Sequence, residues 1–172
     1  EPPLCGEGGV RGGAGPPPCA GLEALEQFSI ALGKAPDRLD LLALQADCLA
    51  RLGQKDAALD RLHRAIAQAT DPVPFLVQRG RLHRRLGDSA SARRDVDRAL
   101  ERQPRNPRAL YLKALLMQDN GKPRKAVKLL DQCVQADPAF RPALLLRSRI
   151  LERLGYAEEA LEDRKSADRT GP

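Results

Sequence analysis

Two histidines, His63 and His83, and four cysteines, Cys5, Cys19, Cys48 and Cys133, are the side chains best suited to nucleophilic catalysis or metal binding. A catalytic histidine needs a Ser or Cys nucleophile within reach, and a zinc or redox site needs paired thiols at C-x-x-C spacing or His beside them. Neither arrangement occurs. Cys5 and Cys19 have no His or further Cys around them, so no metal or cofactor is expected. The run GEGGVRGGAG lacks the preceding strand and the following GKS or GKT of a phosphate loop. Glu158 and Glu159 open a helix, where they complement its positive dipole end. Nothing here supports an enzyme.

The chemistry that remains is charge. The chain carries 29 Lys and Arg against 23 Asp and Glu, a net charge of +6, and Arg outnumbers Lys 22 to 7. Such a balance suits acidic partners or nucleic acid. Single-strand binders interleave aromatic rings for base stacking. Two Tyr, three Phe and no Trp leave little for that, so acidic protein segments are preferred to nucleic acid. The rival reading is nonspecific, salt-dependent RNA binding.

Positioning these charges falls to a repeat. Gly53, Gly87, Gly121 and Gly155 stand 34 residues apart, each followed five residues later by Ala58, Ala92, Ala126 or Ala160. Between the glycines lie apolar stripes at helical spacing, such as Leu42, Ala46, Leu49 and Leu52, then Ala58, Leu62, Ala65 and Ile66. Small residues recur where paired helices meet: Ala46, Gly80, Ala114 and Ser148 on the first helix, and the four alanines on the second. That brings helix axes to about 8–10 Å. Pro104 and Pro138 close two of the units. Arg79, next to Gly80, is expected to reach Asp95 across its hairpin, and Arg147 to reach Asp163 two repeats later. Gln45 faces Arg61 and Lys113 faces Leu129, so the first and third units lack the pair.

This punctuation resembles the tetratricopeptide repeat family from residue 39 to about 170. The large aromatic usual near the start of each repeat is replaced by Leu42, Leu76, Leu110 and Leu144, at a cost in packing area. His83 stands where the family often has tyrosine, which implies a structural histidine. The resemblance implies an all-α, right-handed α-solenoid of antiparallel helix-turn-helix repeats, here 39–72, 73–106, 107–140 and 141–172. It also implies a protein-interaction scaffold or adaptor whose first helices line a concave groove. On these helices the expected groove residues are Val77, Arg81, Arg84 and Arg85, then Arg108, Tyr111 and Leu115, then Leu145, Arg149 and Arg153. Asp40, Ala43, Asp47 and Arg51 come from the first repeat. Charge concentrates mid-solenoid, with net +5 in the second repeat and +3 in the third, against −1 and +1 in the outer two. An acidic segment with apolar anchors would suit that groove. Arg93, Arg94, Arg98 and Arg102, on a second helix, read as solvated decoration.

Before residue 39 lies a leading half-repeat, 21–38, in which residues 21–35 form a second helix without its partner. Residues 1–20 read as a disordered head or linker, or as a truncated repeat, since eleven of them are Gly or Pro. No run approaches the roughly 18 apolar residues of a membrane span. Cys133 takes a place held by alanine in the other repeats, which suggests a buried reduced thiol and a cytoplasmic or nuclear setting. The chain stops soon after its last helix with no polar cap, so self-association through the uncapped end or a continuation is expected.

Chaperone-binding relatives hold a C-terminal carboxylate with Lys, Asn, Asn, Lys and Arg on three successive inner helices. The corresponding residues here are Ala43, Asp47, Gln78, Arg108 and Leu112, and one repeat later Val77, Arg81, Leu112, Pro142 and Leu146. Asp47 would repel a carboxylate. Peptides ending Glu-Glu-Val-Asp are therefore expected not to bind tightly, and a low-micromolar dissociation constant by calorimetry would contradict this.

Overall fold

Each of the four repeating glycines turns the chain where no side chain would fit the backbone comfortably. Gly53, Gly87, Gly121 and Gly155 have φ of +80°, +82°, +68° and +89° in the computed structural model, which describes residues 18–35 and 38–170. All four close a helix in the same way. The amide after the glycine reaches back five residues, as in Asp88 N to His83 O at 2.9 Å, while the glycine amide reaches back three, as in Gly87 N to Arg84 O at 3.1 Å. This double bond satisfies carbonyls that the helix end would otherwise leave open.

Four helical hairpins result. They are α2 (Leu39–Arg51) with α3 (Lys55–Gln68), α4 (Val73–Arg85) with α5 (Ser89–Arg102), α6 (Pro107–Asp119) with α7 (Pro123–Ala136), and α8 (Arg141–Arg153) with α9 (Ala157–Arg169). One further helix, α1 (Pro18–Lys34), precedes them and packs on α2. The described residues contain no strand. The architecture is an all-α helical repeat solenoid. The expected single helix starts three residues earlier than position 21, at Pro18, because proline is tolerated at a first helical position. Residues 1–17, with Cys5, the glycine-rich run and the place of a missing first helix, lie outside the described residues.

Helix ends follow local chemistry. Asp88 caps α5 by accepting from Ser91 N at 2.9 Å, and Asn106 caps α6 by accepting from Ala109 N at 3.0 Å. α5 and α7 stop at Arg102 and Ala136, two residues before Pro104 and Pro138.

The core runs on from hairpin to hairpin. One cluster joins Ala46 and Leu49 of α2, Ala58 and Leu62 of α3, and Leu82 of α4. The next joins Val73 and Leu76 of α4, Val96 of α5, and Leu112 and Leu116 of α6. A third takes Leu110 of α6, Leu130 and Cys133 of α7, and Leu146 and Ile150 of α8. Every cluster thus needs a hairpin plus the first helix of the next, so no hairpin can bury its apolar face alone. Leu42, Leu76, Leu110 and Leu144, at the positions of the missing aromatics, are all buried.

A methyl group at Gly87 would meet nothing within 4 Å, so Gly87→Ala isolates the backbone cost. The substitution is expected to lose about 1–2 kcal/mol in a urea titration. Gly33→Ala, in open space on α1 without a left-handed backbone, should lose none. Equal midpoints for the wild type and Gly87→Ala would contradict the account.

Candidate functional site

Among the first helices of successive hairpins, α2 touches α4 and α4 touches α6, while no comparable contact joins α6 to α8, or the second helices α3 to α5, α5 to α7 and α7 to α9. The second helices therefore splay, and the surface made by α2, α4, α6 and α8 is concave. A polar column at positions 45, 79, 113 and 147 ties these inner helices to neighbouring second helices.

Arg79 donates from Nε to Asp95 Oδ2 at 2.8 Å and from Nη2 to Oδ1 at 2.6 Å. Arg147 makes the same fork to Asp163, at 2.8 and 2.6 Å. Both carboxylates are almost fully buried, which makes the bidentate geometry worth more than a surface pair. Hydrogen bonding to Asp163, with help from Asp131, holds the Arg147 guanidinium above its ordinary pKa although burial opposes it. The two expected hairpin pairs are thus present.

A second set of contacts runs the other way and escaped the sequence reading. Each residue of the column also reaches back to the preceding second helix. Arg147 Nη1 donates to Asp131 Oδ1 at 2.8 Å, Lys113 Nζ lies 2.9 Å from Asp97 Oδ1, and Gln45 Nε2 donates to Ser29 Oγ at 3.1 Å. Arg79 Nη1 lies 3.5 Å from His63 Nδ1. Gln45 and Lys113 therefore have partners in the preceding helix. The signal was available as a column of its own, Ser29, His63, Asp97 and Asp131, at the same 34-residue period.

Two open clefts lie along the concave face. The first, about 620 Å³, is lined from α2, α4 and the start of α6, with Leu62 of α3 at its floor. Arg81, Arg85 and Arg108 line it and are exposed, while Val77 is buried and contributes only its base. The second cleft, about 860 Å³, is lined from α4, α6 and α8. It takes exposed Arg149 and Arg153 and half-buried Leu115 and Leu145. Tyr111 also lines it, its ring edge-on to Phe140 with centroids 5.5 Å apart. Arg84 lies here too, but it is not free. It donates from Nε to Asp119 Oδ2 at 2.6 Å and from Nη2 to Oδ1 at 3.1 Å. Leu44, Asn106, Arg141 and Asp119 are lining residues that the sequence reading did not name. Gln78 links α4 to α2 through the Ala43 carbonyl at 2.9 Å.

The other reactive side chains stand apart from these clefts. Cys133 is buried, its thiol directed at the Pro107 carbonyl at 3.1 Å, and burial pushes its pKa up to about 11. His83 Nδ1 is 3.6 Å from Asp88 Oδ2. Among the described residues no group of three or more His, Cys, Asp or Glu could hold a metal ion.

A family model of the tetratricopeptide repeat matches residues 22–74, 77–117 and 113–172. The chain belongs to the tetratricopeptide repeat family. No curated protein matches it. Among solved structures, this tetratricopeptide protein is similar to MamA from Desulfovibrio magneticus, at 16% identity and a TM-score of 0.64, over 88% of this chain and 85% of that one. It is similar at 18% identity and a TM-score of 0.75 to a monomeric mutant of IFIT1 with Gppp-AAAA, over 86% of this chain and 37% of that one. YrrB, a tetratricopeptide protein with an unusual peptide-binding site, matches at 16% identity and a TM-score of 0.58, over 90% of this chain and 79% of that one. These likenesses establish the fold. Among the described residues no helix is long and apolar enough to cross a membrane.

The forked pairs carry a stability prediction. Removing the carboxylate of Asp163 leaves a half-buried guanidinium short of its main partner, so Asp163→Ala is expected to cost on the order of 1–3 kcal/mol. Asp95→Ala should behave alike. An unchanged melting temperature for either variant would refute the bracing role.

Proposed function

We propose that the protein is a noncatalytic interaction scaffold that holds an acidic, partly apolar segment of a partner protein along its concave face. The observation that carries this reading is a set of arginines without partners. Arg81, Arg85 and Arg108 in the first cleft, and Arg141, Arg149 and Arg153 in the second, pair with no carboxylate among the described residues. Elsewhere in the same fold arginines are used structurally, as Arg79 and Arg147 are. Guanidinium forks left open beside apolar surface suit ligand carboxylates with neighbouring apolar side chains. Leu44 at the first cleft and Leu115, Leu145 and Tyr111 at the second supply that surface.

RNA is the weaker fit for a stated reason. Tyr111 is the one aromatic side chain lining either cleft among the described residues, and it already packs against Phe140. A single-strand site needs stacking platforms as well as charge. The terminal carboxylate clamp of chaperone-binding relatives is also a poor match, since Asp47 lies in the first cleft, its carboxylate 2.8 Å from Arg51 Nη2.

The test compares partners recovered by nuclease-treated affinity purification from the wild type and two variants of unchanged helicity. Arg81→Glu with Arg85→Glu and Arg149→Glu should lose particular protein partners. Arg94→Glu with Arg98→Glu and Arg102→Glu, on the exposed side of α5, should keep them. The reverse outcome would move the working surface to the convex side.

A further inference from the structure

One column of the inner helices reads Arg51, Arg85, Asp119 and Arg153, each 34 residues from the last. All four side chains line the clefts. In this column only the third repeat carries a carboxylate, and that carboxylate faces the groove. Its side chain is 42% exposed, and it takes the Arg84 guanidinium bidentately from the neighbouring inner helix. Among the described residues Asp119 is also the only acid lining the second cleft, against Arg84, Arg141, Arg149 and Arg153.

We propose that Asp119 is the specificity-determining residue of the concave face: it breaks the arginine column, divides the basic surface into two basins, and selects a partner segment with two acidic clusters separated by an uncharged stretch. The inference rests on the groove reading above and narrows its ligand. A continuous polyanion laid along the groove must bring a charge against Asp119, and it finds Arg84 already neutralised. A segment with apolar residues at that point meets Tyr111, Leu115 and Leu145 instead. Specificity then comes from a repulsive element as well as from attractive ones. The spacing follows from the fold. Arg81 and Arg85 on α4 are two inner helices away from Arg149 and Arg153 on α8, roughly 20 Å at about 10 Å per step. An extended chain covers that in about six residues.

The test uses the full chain and labelled probes in fluorescence anisotropy. The block peptide has three glutamates, Leu-Val-Leu and three glutamates. The others are nonaglutamate and an oligoadenylate. The wild type is expected to bind the block peptide about fivefold more tightly than nonaglutamate, although the block peptide carries less charge. Asp119→Asn, and more strongly Asp119→Arg, should tighten nonaglutamate by about fivefold or more while leaving the block peptide within about twofold. Asp119 is the last residue of α6, where a carboxylate opposes the helix dipole, so neither variant should weaken the helix. A gain of binding cannot come from unfolding. Equal binding of both peptides by the wild type, or equal tightening of both in the variants, would overturn the role of Asp119 and leave the groove reading standing. Oligoadenylate binding above that of the block peptide would overturn the peptide assignment. No saturable binding of any probe would overturn both.

Discussion

Everything in this molecule depends on how closely the two helices of a hairpin can approach. At the contact stand Ala46 and Ala58, Gly80 and Ala92, Ala114 and Ala126, and Ser148 and Ala160, nearly all without exposed surface. The distance is legible in two of the four pairs. A Cβ added to Gly80 would lie 3.4 Å from the Ala92 carbonyl oxygen, and in the fourth hairpin the Ser148 hydroxyl donates to the Ala160 carbonyl at 2.8 Å. The helices are near enough for backbone on one to bond a side chain on the other. With that spacing set, the leucines above and below can interlock into clusters that span hairpin boundaries. The concave face follows, because α2 touches α4 and α4 touches α6, whereas the second helices make no comparable contact with one another.

Close packing also sorts the arginines into two populations. Arg79 and Arg147 point between helices and meet carboxylates that are out of water, so they act as braces. Arg81, Arg85, Arg149 and Arg153 sit on the same helices but on the open side, where they pair with no carboxylate among the described residues. Arg84 is intermediate, since it lines a cleft yet is held by Asp119 from the next inner helix. The positive charge of the chain is thus partly structural and partly available. Only the second share bears on a partner.

The repeat was legible in the sequence because its parts are local: a glycine that must take positive φ, an alanine five residues later, and stripes at helical spacing. The pairs Arg79 with Asp95 and Arg147 with Asp163 were legible for the same reason, as each closes within one hairpin. Contacts between hairpins were harder to see. Lys113 with Asp97 and Arg147 with Asp131 cross to the preceding second helix, and a reading that looks only inside each repeat misses them. Arg84 with Asp119 depends on how closely neighbouring first helices stack, which no single-repeat pattern contains. Val77 lines the first cleft, as its register on α4 implies. It points toward the groove along α4, but α6 packs over it, so it is buried in the cleft base.

The central claim is that the concave face of the first helices is the working surface. Backbone amide chemical shifts, recorded while a two-cluster acidic peptide is added, test it most directly. The account predicts perturbations on α4, α6 and α8 around Arg81, Arg85 and Arg149, with α5 and α7 silent. Shifts confined to α5 and α7, with the inner helices unmoved, would contradict it.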